Sequence, residues 1–433
     1  MENPQTGQGG RLERSLCPLF RGREREVSNG MPDNPLTTAV SASPSSPSFR
    51  SPELADRLWS SLAAHFNQWF HCPDLGALRV FMCAVAAHDI SATEPIWPVV
   101  VGPPSTGKTE ICLRPFLSLR PNFFPQSDIT PKAFLSGTGG KSGSLLHRTG
   151  TSGVWLFKDF GTIMSKREQD LKEVLAFLRE IFDGELSREV GGKQVKHWEG
   201  KITVLAAATE EIERARLVMS ALGERFVMVR WSRGDSMARS QKARNQIGHE
   251  RSIRVKSQQL VREFLEGAIT RLPAPPSPAL AYHIDCLAEI TAWLRAHVIR
   301  DRSDGKSTII DIPEWEGAAR LSKTMSNLVS FHAALFGRPE PTDEDMAPAV
   351  RIAFDSIRPN RVRFISAIPI GAYQTQVELS RLSAIPEGSL DWVSKDLIAL
   401  AIVEKTIAAE VSFRLTPAFE RLLQGTGIRQ NTP

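Results

Sequence analysis

The octapeptide at residues 102–109, GPPSTGKT, constrains this chain more than any other stretch. It fits the G-x-x-x-x-G-K-[ST] pattern, in which a glycine-rich loop joins a strand to a helix and wraps backbone N–H groups around phosphate. The pattern arises by chance in only ~2% of chains this long, so the match is specific. Its flanks agree. Residues 96–101, IWPVVV, form a short apolar, β-branched run with the character of a buried parallel strand. Residues 109–113 can open a helix. In such a unit Gly102, Pro103, Pro104, Ser105, Thr106 and Gly107 form the cradle. Lys108 reaches the β- and γ-phosphates, and the Thr109 hydroxyl holds Mg²⁺. The expected ligand is therefore ATP with Mg²⁺. A glycine turn beside a stray lysine is the bland rival.

The 433 residues suffice for two or three domains. A net charge of +5 permits a nucleic-acid partner without demanding one. Five scattered cysteines, with no C-x-x-C pair, argue against a disulfide framework or zinc site and for a reducing cytoplasm. No apolar run approaches the ~18 residues of a membrane span, and no membrane partner is expected. Residues 1–50 are rich in Arg, Ser, Pro and Gly and poor in large apolar groups, which predicts a disordered tail. Nothing before Met31 has the pattern of structure, so Met31 is a candidate start.

Residues 51–272 read as an α/β core with two leading helices. Ser51 and Pro52 are a helix-start signal, and Leu54, Leu58, Leu62 and Phe66 repeat at helical spacing. A second apolar helix follows over 75–88. Both helices could wall an adenine site, and plain core packing explains them equally well. Residues 123–142 contain a glycine-rich stretch that lacks the spacing of a second phosphate loop and read as a surface loop. Residues 154–159, VWLFKD, are a strand ending in Asp159, the carboxylate that can bind Mg²⁺ beside the phosphate loop. A helix over 166–182 follows. Residues 185–198 alternate around Gly191 and Gly192, a hairpin signal. Residues 202–208 are a buried strand ending at Thr209, followed by a helix over 212–222 and a strand over 227–229.

The order GPPSTGKT, VWLFKDF, hairpin, ITVLAAAT, ALGERF resembles an AAA+ ATPase. The hairpin ahead of ITVLAAAT resembles the pre-sensor-1 hairpin branch, which includes MCM helicases and bacterial enhancer-binding activators. The resemblance implies that Thr209 orients the attacking water as sensor 1. It implies that Arg225 is an arginine finger on a neighbouring subunit's γ-phosphate, and hence a homo-oligomeric ring such as a hexamer. Residues 273–358, entered through the proline-rich break at 273–278, resemble the helical lid. Within it Arg320 resembles the sensor 2 arginine. Residues 359–426 resemble a winged helix-turn-helix domain, with residues 389–400 as its recognition helix. One departure stands out. The family places Glu after the Walker B Asp, and here Asp159 is followed by Phe160. Either Glu173 or Glu180 on the next helix supplies the base, or hydrolysis is slow or absent.

These residues support an oligomeric, DNA-dependent ATPase, helicase-like or a motor of replication or mobile elements. Arg188, Lys193, Lys196 and His197 on the hairpin are its candidate DNA contacts, and residues 230–256 add a basic stretch that is otherwise a solvated face. The alternatives are an ATP-gated winged-helix regulator with little turnover and a protein-remodelling ATPase. The GAFTGA loop of enhancer-binding activators is missing, which argues against that role.

Overall fold

The computed structural model describes residues 50–428 except 73, 118, 136–143, 191–193, 215–224, 233, 302–307 and 408–409. The expected tail, the glycine-rich stretch after 135, the hairpin glycines and most of the helix expected over 212–222 lie outside the described residues.

The core is mixed α/β around a five-stranded parallel sheet. Its strands are β1 (Trp97–Val101), β2 (Phe123–Gln126), β3 (Ser152–Phe157), β6 (Lys201–Ala208) and β7 (Phe226–Arg230), in the order β2-β3-β6-β1-β7. The antiparallel hairpin β4 (Glu185–Val190) and β5 (Gln194–Glu199) stands apart from it. The strands are apolar on both faces because each face carries a core. Trp97, Val99 and Val101 of β1 point to one side with Val204, Ala206 and Ala208 of β6. Val100, Leu205 and Ala207 point to the other. β2 is the strand absent from the sequence reading. It has only four residues and includes Pro125, which an edge strand tolerates because one side of its ladder is open.

The two leading helices have different jobs. In α1 (Pro52–Trp69) Ser51 caps the N-terminus by accepting from the Leu54 N–H, and Pro52 sits where its missing N–H costs nothing. In α2 (Gly76–His88) every residue from Val80 to His88 is buried, so α2 is a core helix rather than a pocket wall. The helices Pro278–Arg295, Ala319–Leu335 and Ala347–Asp355 share that core. The stretch expected to be all helical also contains a strand pair, β8 (Ile299–Asp301) with β9 (Thr308–Asp311).

The C-terminal unit has helices Pro359–Ser366, Gln376–Ser383 and Glu387–Ala399, then β11 (Val403–Ile407) and β12 (Val411–Leu415). A two-residue β10 (Gln374–Thr375) completes a three-stranded antiparallel sheet. The helix Glu387–Ala399 is tied down rather than free. Asp396 turns inward and accepts from Arg300 at 2.6 Å and Arg361 at 3.1 Å, all three side chains being almost fully buried. Arg361 also donates to the carbonyls of Leu294 and Ala296. Arg300 lies over the Trp392 ring at 4.2 Å. Among the described residues no helix is long and apolar enough to cross a membrane.

Candidate nucleotide site

All five strands run the same way, so their carboxyl ends share one edge. The loop after β1, Asp159 after β3 and Thr209 after β6 all stand on it. β6 lies between β1 and β3, which puts Thr209 between the loop and Asp159. A crevice outside the carboxyl ends of parallel strands is where such sheets bind ligands.

The loop itself is shaped by its backbone. Ser105 (φ 59°) and Gly107 (φ 86°) both occupy the left-handed region. Glycine adopts this freely, whereas serine does so at a cost of order 1–3 kcal/mol that surrounding structure must sustain. Alternation of this kind makes successive N–H groups converge into an anion-binding nest. α3 (Lys108–Cys112) follows and is short, because Pro115 soon interrupts the helical ladder. The nest and Lys108 therefore matter more here than a helix dipole. Gly102 is required for a different reason: a Cβ there would stand 2.8 Å from the Cβ of Trp231.

Trp231 is the residue the motif could not reveal. Its backbone N–H donates to Val101 O at 2.7 Å, and its indole Nε1–H donates to Thr106 O at 3.0 Å. It fastens the loop from the β7 side. The only sequence signal was a tryptophan directly after a buried strand.

Lys108 is 7% exposed, and its ammonium donates to Pro103 O at 2.9 Å across the loop. Burial lowers its pKa, and the field of Asp159 opposes that shift. Lys108 and Asp159 are thus electrostatic neighbours. Asp159 is exposed, with Oδ1 accepting from the Gly161 N–H at 2.9 Å. A methyl placed on Gly161 would lie 2.8 Å from Asp159 Oδ1 and 3.9 Å from Thr209 Oγ1. Carboxylate and threonine hydroxyl therefore flank one small space, and the Lys108 charge is felt there.

A single hydroxyl (Thr109) and a single carboxylate (Asp159) suit Mg²⁺, which keeps most of its waters and takes its other ligands from phosphate. Among the described residues no cluster of three or more His, Cys, Asp or Glu could hold a metal by itself. That donor set fits an ion that arrives with its nucleotide.

Phe160 is a core residue. Its ring is fully buried against Phe157 and Phe226, and its N–H donates to Ala207 O at 2.7 Å. The backbone after Asp159 thus turns that side chain away from the crevice. Glu180 lies at the wrong end. It is one turn before Asp183 on the helix Glu168–Asp183, which runs back toward the starts of the strands. The 3₁₀ turn Glu210–Arg214, directly after Thr209, brings Glu210, Glu211 and Glu213 to the correct edge. Glu213 is engaged by Arg230.

A half-buried ionic network braces the same edge. Arg230 donates its N–H to Asp355 at 2.8 Å, and Arg351 donates to Arg230 O at 2.6 Å while pairing with both Asp355 and Asp74. Burial alone would lower the Arg351 pKa, but Asp355 and Asp74 outweigh it and hold the group charged. The helix Ala347–Asp355 is thereby joined to the end of β7 and to the segment between α1 and α2. That segment also approaches the loop, since a Cβ on Gly107 would meet Phe70 at 3.8 Å.

The two remaining predicted residues are elsewhere. Arg225 precedes Phe226, which pairs with Trp97 at the start of β1. It is thus about 13 Å of strand from the loop edge. Arg320, on the helix Ala319–Leu335, stands with it: Arg225, Glu316, Asp183 and Glu94 all act on its charge, and burial with the Arg225 charge lowers its pKa. The structure brings Lys108, Thr109, Asp159 and Thr209 together and brings Arg225 and Arg320 together, at opposite ends of the strands.

The basic stretch is partly spoken for. Lys242 donates to Asn67 O and Gln68 O and Gln246 to Trp69 O, covering carbonyls at the C-terminus of α1, while Arg254 pairs with Glu110. On the hairpin, Ser187 Oγ and His197 Nδ1 are hydrogen bonded at 2.7 Å, and Lys193 lies outside the described residues. No protein-family model matches the chain, and no curated protein matches it.

Proposed function

We propose that the chain binds ATP–Mg²⁺ at residues 102–109 and hydrolyses it as an AAA+ protein. The observation that carries this reading is the convergence of Lys108, Asp159 and Thr209 at one sheet edge, beside a loop with two left-handed residues. Lys108 and the nest take the phosphates, Thr109 and Asp159 hold the ion, and Thr209 orients water. The remote position of Arg225 and Arg320 favours a homo-oligomer. Neither reaches its own subunit's loop, so their charge acts on a nucleotide held by a neighbouring copy in a ring. The hairpin and the C-terminal unit, read as a winged helix, are the candidate DNA contacts. The protein is then a DNA-dependent ATPase of the cytoplasm.

The second reading is an ATP-gated regulator with little turnover. Burial of Phe160 favours it, because the position next to Asp159 cannot serve as a base. The helix Glu387–Ala399 favours it as well, since its inward Asp396 is paired with Arg300 and its exposed Lys395 is already paired with Asp391, leaving a face that is not basic. One measurement separates the readings: steady-state ATP hydrolysis with no DNA, single-stranded DNA and duplex DNA. DNA-stimulated turnover supports the motor. Tight ATP binding with negligible turnover supports the switch. Turnover with no response to nucleic acid supports protein remodelling.

A further inference from the structure

Arg225 is held by the two residues that end the helix Glu168–Asp183. Its guanidinium donates to both Asp183 oxygens, at 2.9 and 3.3 Å, and lies 5.7 Å from the centre of the Phe182 ring. The arginine side chain is 10% exposed, whereas that of Asp183 is 51% exposed. Asp183 is followed by Gly184, in the left-handed region at φ 96°, and then at once by β4 of the hairpin. The hairpin base is anchored nearby: Gly200 N–H donates to Gly184 O at 2.9 Å, and the Trp198 indole donates to Gly150 O at 2.8 Å. One carboxylate thus joins the start of β7 to the root of the hairpin.

We propose that Asp183 is a positioning residue that stows Arg225 and couples its release to the hairpin. This inference rests on the ATPase reading above. An ion pair with a half-exposed carboxylate is weak, so a γ-phosphate, with more charge and three acceptor oxygens, can displace it. Phe182 stays beneath the guanidinium and keeps its plane oriented through the exchange. A load that shifts the hairpin pulls on Gly184 and Asp183 and opens the clasp. A ligand on the hairpin therefore raises the fraction of subunits whose Arg225 is available to the neighbour.

The test is steady-state ATPase kinetics of the full chain, with and without single-stranded DNA, on wild type, Asp183→Asn, Asp183→Glu, Arg225→Ala and the Asp183→Asn/Arg225→Ala double variant. Asp183→Asn raises DNA-free kcat by about fivefold, the population shift that loss of an exposed ion pair permits. It leaves the KM for ATP unchanged, because the phosphate loop is at the other edge, and it reduces the DNA stimulation by the same factor. Asp183→Glu restores wild-type behaviour, and the double variant matches Arg225→Ala. A purely structural ion pair would lower thermal stability in Asp183→Asn and Arg225→Ala without splitting kcat from KM. The inference is overturned if Asp183→Asn leaves kcat flat, or lowers it, while Arg225→Ala abolishes turnover. Wild type without turnover overturns it together with the ATPase reading, whereas Arg225→Ala with full activity overturns it together with the finger role of Arg225 and leaves the ATPase reading standing.

Discussion

The two edges of the central sheet are built on different principles. The carboxyl edge is a backbone site: left-handed Ser105 and Gly107, a glycine pressed against Trp231, and one buried lysine. The amino edge is a side-chain site. It has the Arg225–Asp183 pair, Arg320 beside them, and buried His88 with Ser152 and Thr203. A backbone cradle is rigid and binds in its own subunit. A set of paired arginines can exchange partners, which is what a contribution to a neighbour's site requires. On the proposed reading, the difference teaches that the chain carries most of a phosphate site at one edge and the cationic complement at the other.

Removing the charge at the first edge is the strongest way to break this comparison. Lys108→Ala should weaken ATP binding about 100-fold, the ~3 kcal/mol of a charge-assisted contact to phosphate. Calorimetric titration with ATP–Mg²⁺ checks it, and unchanged affinity would dissolve the carboxyl-edge site.

At the amino edge the largest effect is on stability. Burial first, then the charges of Lys201 and Arg120, push the His88 pKa down to about 4. A base whose folded pKa is lowered binds fewer protons folded than unfolded between pH 6.5 and 4, so folding stability falls as pH drops through that window. The loss approaches about 3 kcal/mol by pH 4. Chemical denaturation at pH 7 and pH 4.5 should show it, and His88→Gln should flatten the dependence. An unaltered slope in that variant would mean that the amino edge is not closed around a neutral imidazole.

Gly161→Ala sharpens the division more finely. The new methyl meets Asp159 Oδ1 at 2.8 Å and must push the carboxylate aside. The expected cost is about tenfold in Mg²⁺-dependent ATP affinity, ~1.4 kcal/mol, with a smaller loss when Mg²⁺ is withheld. Equal losses with and without the ion would remove Asp159 from the metal role. The smallest change is Trp231→Phe. It deletes the donor to Thr106 O and should lower stability by about 1 kcal/mol, read by thermal melting, and this cost should shrink at saturating ATP.

Local chemistry made much of the carboxyl edge legible. GPPSTGKT carries its own glycines and lysine at the spacing of a loop, and a β-branched apolar run beside it can hardly be other than a buried strand. Asp159 and Thr209 were readable because each ends such a run. The four-residue β2 and the pair β8–β9 were not readable, because their extended conformation comes from neighbours rather than from pattern. Phe160 illustrates the limit best. In sequence it is a missing glutamate, and in the fold it is a fully buried ring between Phe157 and Phe226. Asp396 behaves alike: counted along a helix it is one more acid, yet it closes a buried pair with Arg300 and Arg361.

By itself the sequence determined the strand and helix that flank residues 102–107, the α/β character of the core, the hairpin and the helices with strand pair of the C-terminal unit. Turn chemistry and the period of apolar residues act over a few positions, so these features need no distant partner. Only the tertiary structure decided which strand lies between which, and so which of the chemically capable residues meet. It set Thr209 between the loop and Asp159, recruited Trp231 to fasten the loop, and carried Arg225 and Arg320 to the opposite edge. Strand order and the charge pairs across it depend on contacts between residues far apart in the chain, and no local pattern encodes them.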